Sequence, residues 1–295
     1  MKTKLIRWGK AALKIALSAA ALAWVFSRID YRHVGEVLLT VNVWFLLPAI
    51  LLFTASKVVS SFRLNEFFRC IEIKLDEWAN LRLYWLGMFY NLFLPGGIGG
   101  DGYKIYLLHQ RTGIKAKSIF WAVLLDRVSG VLALFWLAVL IFLVVPIVFP
   151  FKYLVILLLP LSWLAFRLFL KWLFPEYLPS MNKLNLQAFA VQSLQVLSAA
   201  ALLASLGVFT QYPEFLFLFL LSSIVATLPI TIGGIGSREI TFLFGAEYLH
   251  LNMNISVGVS LLFYLTSALV SLFGIYYSLL PSRLRVLDNA EKTTE

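Results

Sequence analysis

Leu94–Lys104 reads LPGGIGGDGYK, and Leu228–Arg238 reads LPITIGGIGSR. Aligned without a gap, both fit L-P-x-x-I-G-G-x-G-x-[K/R]. Each copy follows a strongly apolar stretch. Proline and clustered glycine are poor residues for the middle of a helix. In a bilayer, broken backbone is tolerated only where protein or a water-filled cavity surrounds it. Two such breaks at corresponding places in two halves of a chain point to a transport site.

The rest of the chain fits a membrane setting. Of its 295 residues, 61% are hydrophobic and only 14% charged, where a soluble domain carries about 25% charged residues. The mean hydropathy is +0.86. No stretch is long and polar enough for a separate soluble domain. One integral membrane domain is expected over 1–285, with a polar cytoplasmic tail at 286–295. The net charge of +10 sits mostly at the ends of apolar runs, where the positive-inside rule expects it, and not in a nucleic-acid-binding patch. Some of these cations are placed to meet anionic lipid head groups. The lone Cys70 excludes an intrachain disulfide, and His33, His109 and His250 have no metal-site spacing. No metal or cofactor is expected. Ala21-Leu22-Ala23 resembles a signal-peptidase site but lies inside the apolar run, so the first helix should stay uncleaved.

Six full spans are expected, at about Ala11–Ser27, Val43–Phe62, Ser118–Val148, Tyr153–Leu170, Leu186–Phe209 and Ile255–Leu280. After the second span, Leu64, Phe67, Phe68 and Ile71 recur at helical spacing among charged residues. That spacing predicts a separate amphipathic helix lying on the membrane surface. Lys2, Lys4, Arg7 and Lys10 place the N-terminus in the cytoplasm, and Arg283 and Arg285 place the C-terminus there too. Basic residues flank Leu81–Gly100 on both sides, so the first break should be a hairpin dipping in from the cytoplasm. Counting onward, the second should dip in from outside. The result is an all-α bundle with two re-entrant hairpins in an inverted-topology repeat, over about 43–148 and 186–280. Eight ordinary spans with glycine-rich turns would satisfy the same charge bias.

Several residues carry candidate binding chemistry. A helix start is expected after each break, with Asp101 and Ser237 as N-caps. Helix N-termini expose unpaired N–H groups and partial positive charge. Glycine lets a ligand approach that backbone closely. Pro95, Gly96, Gly99 and Gly100 in the first break, and Pro229, Gly233, Gly234 and Gly236 in the second, are therefore candidates. The plainer reading is close helix packing through small residues. Asp126 and Arg127 lie about two turns into a span, where charge costs at least about 2.5–3.5 kcal/mol. Neighbours on a helix point about 100° apart, so the two cannot simply pair, and at least one needs a partner elsewhere. Lys104 and Arg238 occupy equivalent places after the two breaks and suit a phosphate; both also suit interface anchors. Glu239, Lys57 and Arg63 complete the set. Asn91 is placed to cap freed backbone or to touch ligand. No HExxH, G-x-S-x-G, Walker A loop or strand-borne GxGxxG is present.

The combination of N-x-x-L-P-G-G-x-G-G-D at Asn91–Asp101, D-R at Asp126–Arg127 and L-P-x-x-x-G-G-x-G-x-R-E at Leu228–Glu239 resembles a flippase-like family. That family is the transmembrane region of lysyl-phosphatidylglycerol synthase, also called multiple peptide resistance factor. The resemblance runs from about Ala11 to Leu280. It implies a bacterial or archaeal cytoplasmic membrane protein that moves lipid between leaflets. The two-domain relatives add a soluble lysyltransferase, and with no such domain before Glu295 no synthase activity is expected here. The expected ligand is a phospholipid or polyprenyl phosphate, moved without ATP. The alternative is a non-transporting partner of a separate lipid-modifying enzyme, such as a glycosyltransferase or an aminoacyl-lipid synthase.

Overall fold

The computed structural model describes residues 41–93, 99–227, 237–280 and 284, without the side chains of Phe93, Ser237, Glu239, Ile240, Leu243 and Asn254. The described residues form an all-helical bundle. Its elements are α1 (Val43–Arg69), α2 (Glu77–Phe93), α3 (Gly99–Thr112), α4 (Ala116–Phe142), α5 (Leu158–Leu173), α6 (Met181–Ser205), α7 (Tyr212–Thr227), α8 (Ser237–Tyr248), α9 (Met253–Ser271) and α10 (Gly274–Leu279). Short 3-10 turns at Lys152–Leu157 and Pro175–Tyr177 lead into α5 and α6.

Five stretches are long and apolar enough to cross a membrane: Val43–Arg69, Ala116–Phe142, Lys152–Leu173, Met181–Ser205 and Ile255–Leu279. They coincide with five of the six expected full spans. The sixth, Ala11–Ser27, lies outside the described residues. The chain is a multi-pass membrane protein. At 27 residues each, α1 and α4 extend about 40 Å, longer than a hydrocarbon core of about 30 Å.

The helices beside the two breaks are different. α2, α3, α7 and α8 have 17, 14, 16 and 12 residues, below the roughly 20 that a span needs. α2 packs along α3, and α7 along α8. Each break is therefore flanked by two short helices lying against each other.

Local chemistry explains the helix ends. The Asn42 side chain accepts from Trp44 N–H at 3.0 Å and starts α1. Asn252 does the same for α9, accepting from Ile255 N–H at 3.2 Å. Gly113 (φ +72°) and Gly207 (φ +74°) turn the chain out of α3 and α6 in the left-handed region that only glycine enters freely.

The most extensive helix pairing is that of α1 with antiparallel α6. Asn42 N–H donates to Ser205 O at 2.8 Å at one end. Ser198 Oγ donates to Ala49 O at 2.8 Å further along. Lys183 Nζ donates to Glu66 Oε2 at 2.7 Å at the other end.

This pairing corrects one sequence expectation. Residues 63–69 do not form a separate surface helix. They are the last two turns of α1, and Leu64, Phe67 and Phe68 are buried in the protein. Their helical spacing serves a protein core that also contains Ile73, Leu83 and Tyr177. A second core gathers Phe53, Leu134, Leu202, Phe219 and Phe263 around the other end of the bundle. Lipid-facing residues lie outside both cores. On α5, Leu161, Leu164, Leu168 and Trp172 form one exposed apolar face.

Candidate functional site

Between the two cores lies a cavity of about 740 Å³. On α1 it falls between Phe53 of one core and Leu64 of the other. On α4 its lining runs from Val123 to Phe135. Its polar wall includes Lys57 and Arg63 from α1, Tyr84 and Asn91 from α2, Asp101 and Lys104 from α3, Asp126 and Arg127 from α4, and Gln192 and Gln195 from α6. Leu124, Val128, Val131 and Phe135 give the α4 wall an apolar surface.

Among the described residues, both acids of the cavity are engaged by cations. Asp126 Oδ1 accepts from Arg63 Nε at 2.7 Å, joining α4 to α1. Asp101 Oδ1 accepts from Lys104 Nζ at 3.1 Å. Asp101 Oδ2 accepts from Arg127 Nε at 2.7 Å, joining α3 to α4. The 100° offset between Asp126 and Arg127 thus sends each to a different helix, where the spacing alone required a distant partner for at least one. Asp126 sits ten residues into α4, about 15 Å along its axis. Ions at that depth need close partners, because desolvation is costly and low dielectric strengthens their attraction.

Small residues bring α2 and α3 together. A Cβ on Gly100 would lie 1.9 Å from Gly87 O, so the backbones of α2 and α3 touch there. A Cβ on Gly87 would lie 2.2 Å from Lys104 Cε, so Gly87 leaves room for that side chain to cross α2. Lys104 Nζ then sits 4.7 Å from the centre of the Tyr84 ring. Asn91 caps the arm, its Oδ1 accepting from Gly100 N–H at 2.8 Å.

Of the sequence candidates, Lys57, Arg63, Asn91, Asp101, Lys104, Asp126 and Arg127 come together on this one cavity. Asp101 is in the first turn of α3 and forms ion pairs there; it is not the N-cap expected for it. Gly99 opens α3, and Gly100 serves helix packing with its N–H held by Asn91. Arg238 does not line this cavity. It lies in α8, its guanidinium 4.8 Å from the Phe263 ring centre and its Nη2 3.4 Å from Ser223 Oγ. Ser237 opens α8, but its side chain and that of Glu239 lie outside the described residues. So do Pro95, Gly96, Pro229, Gly233, Gly234 and Gly236 altogether.

Sequence reasoning missed Tyr84, Gly87, Gln192 and Gln195. The two glutamines carried a usable signal, being amides three residues apart inside an expected span. Gly87 carried none, because a single glycine in a helix has no fixed meaning.

No curated protein and no solved structure matches the chain. The family described as the lysylphosphatidylglycerol synthase TM region matches residues 11–192, more than half of the chain. That match contains Leu94–Lys104, the whole of α1 to α5 and, among the described residues, every charged residue of the cavity, and by it the chain belongs to the lysylphosphatidylglycerol synthase transmembrane-region family.

Proposed function

We propose that the chain carries a phosphate-bearing lipid head group across the bilayer through this cavity, without ATP and without a catalytic step. The observation that carries the reading is the cavity itself. It is large enough for a head group, small-molecule sites being about 300–1,000 Å³. Ion pairs line its inner wall, and apolar α4 residues line another. Such a site offers charge to a head group and hydrocarbon to its chains. Intramembrane ionisable residues usually mark a substrate path.

In this reading the two helix–break–helix units are re-entrant hairpins of opposite orientation, and the membrane is the cytoplasmic one. Support comes from how the fold gathers cations. Arg69, Lys115, Lys117, Lys171 and Lys183 all fall at helix ends on the side of the bundle where α1 finishes and α6 begins. Positive residues favour the cytoplasmic face. Single-cysteine labelling on a Cys70→Ser background tests this topology. Cysteines at Gly97 and Thr231 should react from opposite faces, and reaction of both from one face would remove the inverted repeat.

Transport is tested in proteoliposomes by the accessibility of labelled head groups to an added quencher. The wild-type chain should equilibrate a phosphate-bearing lipid between leaflets, running downhill or with an ion gradient. Arg127→Ala should reduce the rate to a tenth or less while the protein inserts normally, because it opens the link between α3 and α4. A chain that binds such a lipid and never moves it under any gradient is instead the membrane partner of a separate lipid-modifying enzyme.

A further inference from the structure

We infer that one hydrocarbon chain of the bound lipid lies along α4, over Leu124, Val128, Val131 and Phe135, with its free end toward Phe135. This rests on the reading of the cavity as a lipid site and adds where the tail leaves it and which way it points. Leu124, Val128, Val131 and Phe135 follow one another at intervals of four, three and four residues, which puts them on one face of the helix. All four line the cavity. None of them is buried, and Val128 is 38% exposed. The cavity therefore continues from its ionic wall onto a face of α4 that the described residues leave partly open.

Two boundaries give this face the shape of a groove. At one end stands Arg127, at the edge of the stripe, its side chain 36% exposed and ion-paired with Asp101. Long side chains lean toward the N-terminus of their helix. The guanidinium therefore lies beside the first of the four residues, and the rest of the stripe extends beyond it. At the other end the face closes. Ala138 and Val139 are buried, and the Phe142 ring meets Phe217 of α7 at 5.5 Å between centres. The open stretch from Leu124 to Phe135 is about 16 Å long. One leaflet of hydrocarbon, half of a core of about 30 Å, is about 15 Å deep.

A lipid tail is the occupant that this shape fits. The groove is apolar, as long as a leaflet is deep, and joined at its Arg127 end to the ion-lined chamber. A head group held in that chamber hands its chain directly to Leu124 and Val128. The exposed face of α5 is different. Leu161, Leu164, Leu168 and Trp172 are just as apolar, but none of them lines the cavity, so they meet bulk lipid alone. The direction follows from where the ions lie. They sit toward the start of α4, and the groove runs from them toward its C-terminal end. That is the orientation of a lipid taken up from the leaflet in which α4 begins.

The test is photolabelling of the purified full chain in maltoside micelles, read residue by residue by mass spectrometry. The probes are phosphatidylglycerol and a polyprenyl phosphate, each with one diazirine either beside the head group or at the free end of a chain. A diacylglycerol with the same two placements is the phosphate-free control. At least one phosphate lipid should label α4 at least fivefold more than diacylglycerol does, near Val128 from the head-group end and near Phe135 from the free end. All probes should label the α5 face alike. Val128→Trp fills the groove at an exposed position. It should cut α4 labelling and the transport rate in proteoliposomes to a tenth or less and leave α5 labelling unchanged. Equal labelling of α4 by phosphate lipids and diacylglycerol, the reverse order of the two placements, or a Val128→Trp chain that behaves like wild type overturns the inference and leaves lipid carriage standing. So does a disulfide between cysteines placed at Val128 and within Ala11–Ser27, which would make that segment the occupant. Transport of no phosphate lipid by the wild-type chain overturns both.

Discussion

Asp126→Ala will destabilise the folded chain by about 3–5 kcal/mol, the usual cost of removing one partner of a buried ion pair. The size follows from what is left behind. The side chains of Arg63 and Asp126 are 6% and 11% exposed. Arg63 Nη1 already has no partner among the described residues, so losing the carboxylate strips the guanidinium of its ion-pair partner among those residues. Thermal unfolding in a single detergent, followed by tryptophan fluorescence, reads the effect. The double variant Arg63→Met/Asp126→Leu should recover most of the lost stability, since apolar replacement of a buried pair is often neutral. It should not recover lipid binding, because the cavity wall then lacks the Arg63 guanidinium. If Asp126→Ala alone unfolds at the wild-type temperature, the pair does not hold α1 to α4.

Gly100→Ala will lower stability by at least about 1–3 kcal/mol, the ordinary cost of overpacking. Its methyl would lie 1.9 Å from a backbone oxygen of α2, which cannot rotate away as a side chain can. The arms must separate, and Asn91 then loses Gly100 N–H. Gly102→Ala is the matched control in the same helix. A Cβ there meets nothing within 4 Å, and alanine favours a helix over glycine by about 1 kcal/mol. The two variants should therefore move the unfolding midpoint in opposite directions. Equal midpoints would mean that α2 and α3 do not touch at this point.

The apolar spans and the isolated charges were legible because each follows from a local rule. Proline and glycine interrupt helices, and ions resist the bilayer, whatever the surroundings. Angular spacing alone required a distant partner for Asp126 or Arg127. It did not say which, because Arg63 is 63 residues from Asp126 and Asp101 is 26 from Arg127. Leu64, Phe67 and Phe68 show a different limit. An apolar stripe has the same period whether it faces lipid or protein, so its period could not reveal that α1 continues through it. Arg238 shows a third. Its place in the sequence matches Lys104, yet its guanidinium lies against Phe263 of α9 and near Ser223 of α7 and not on the cavity wall.

The pairing of α1 with α6 has a practical consequence. Fastened by hydrogen bonds near both ends and partway along, the two helices form a fixed datum inside the bundle. Leu51 and Leu197 project from them, 69% and 54% exposed, and accept spin labels without disturbing either core. The separation of those labels should be one narrow value in every state of the protein. Distances from the same pair to the exposed Tyr106 of α3 or Phe244 of α8 then become a ruler for the short arms alone, free of any tumbling or tilt of the whole molecule.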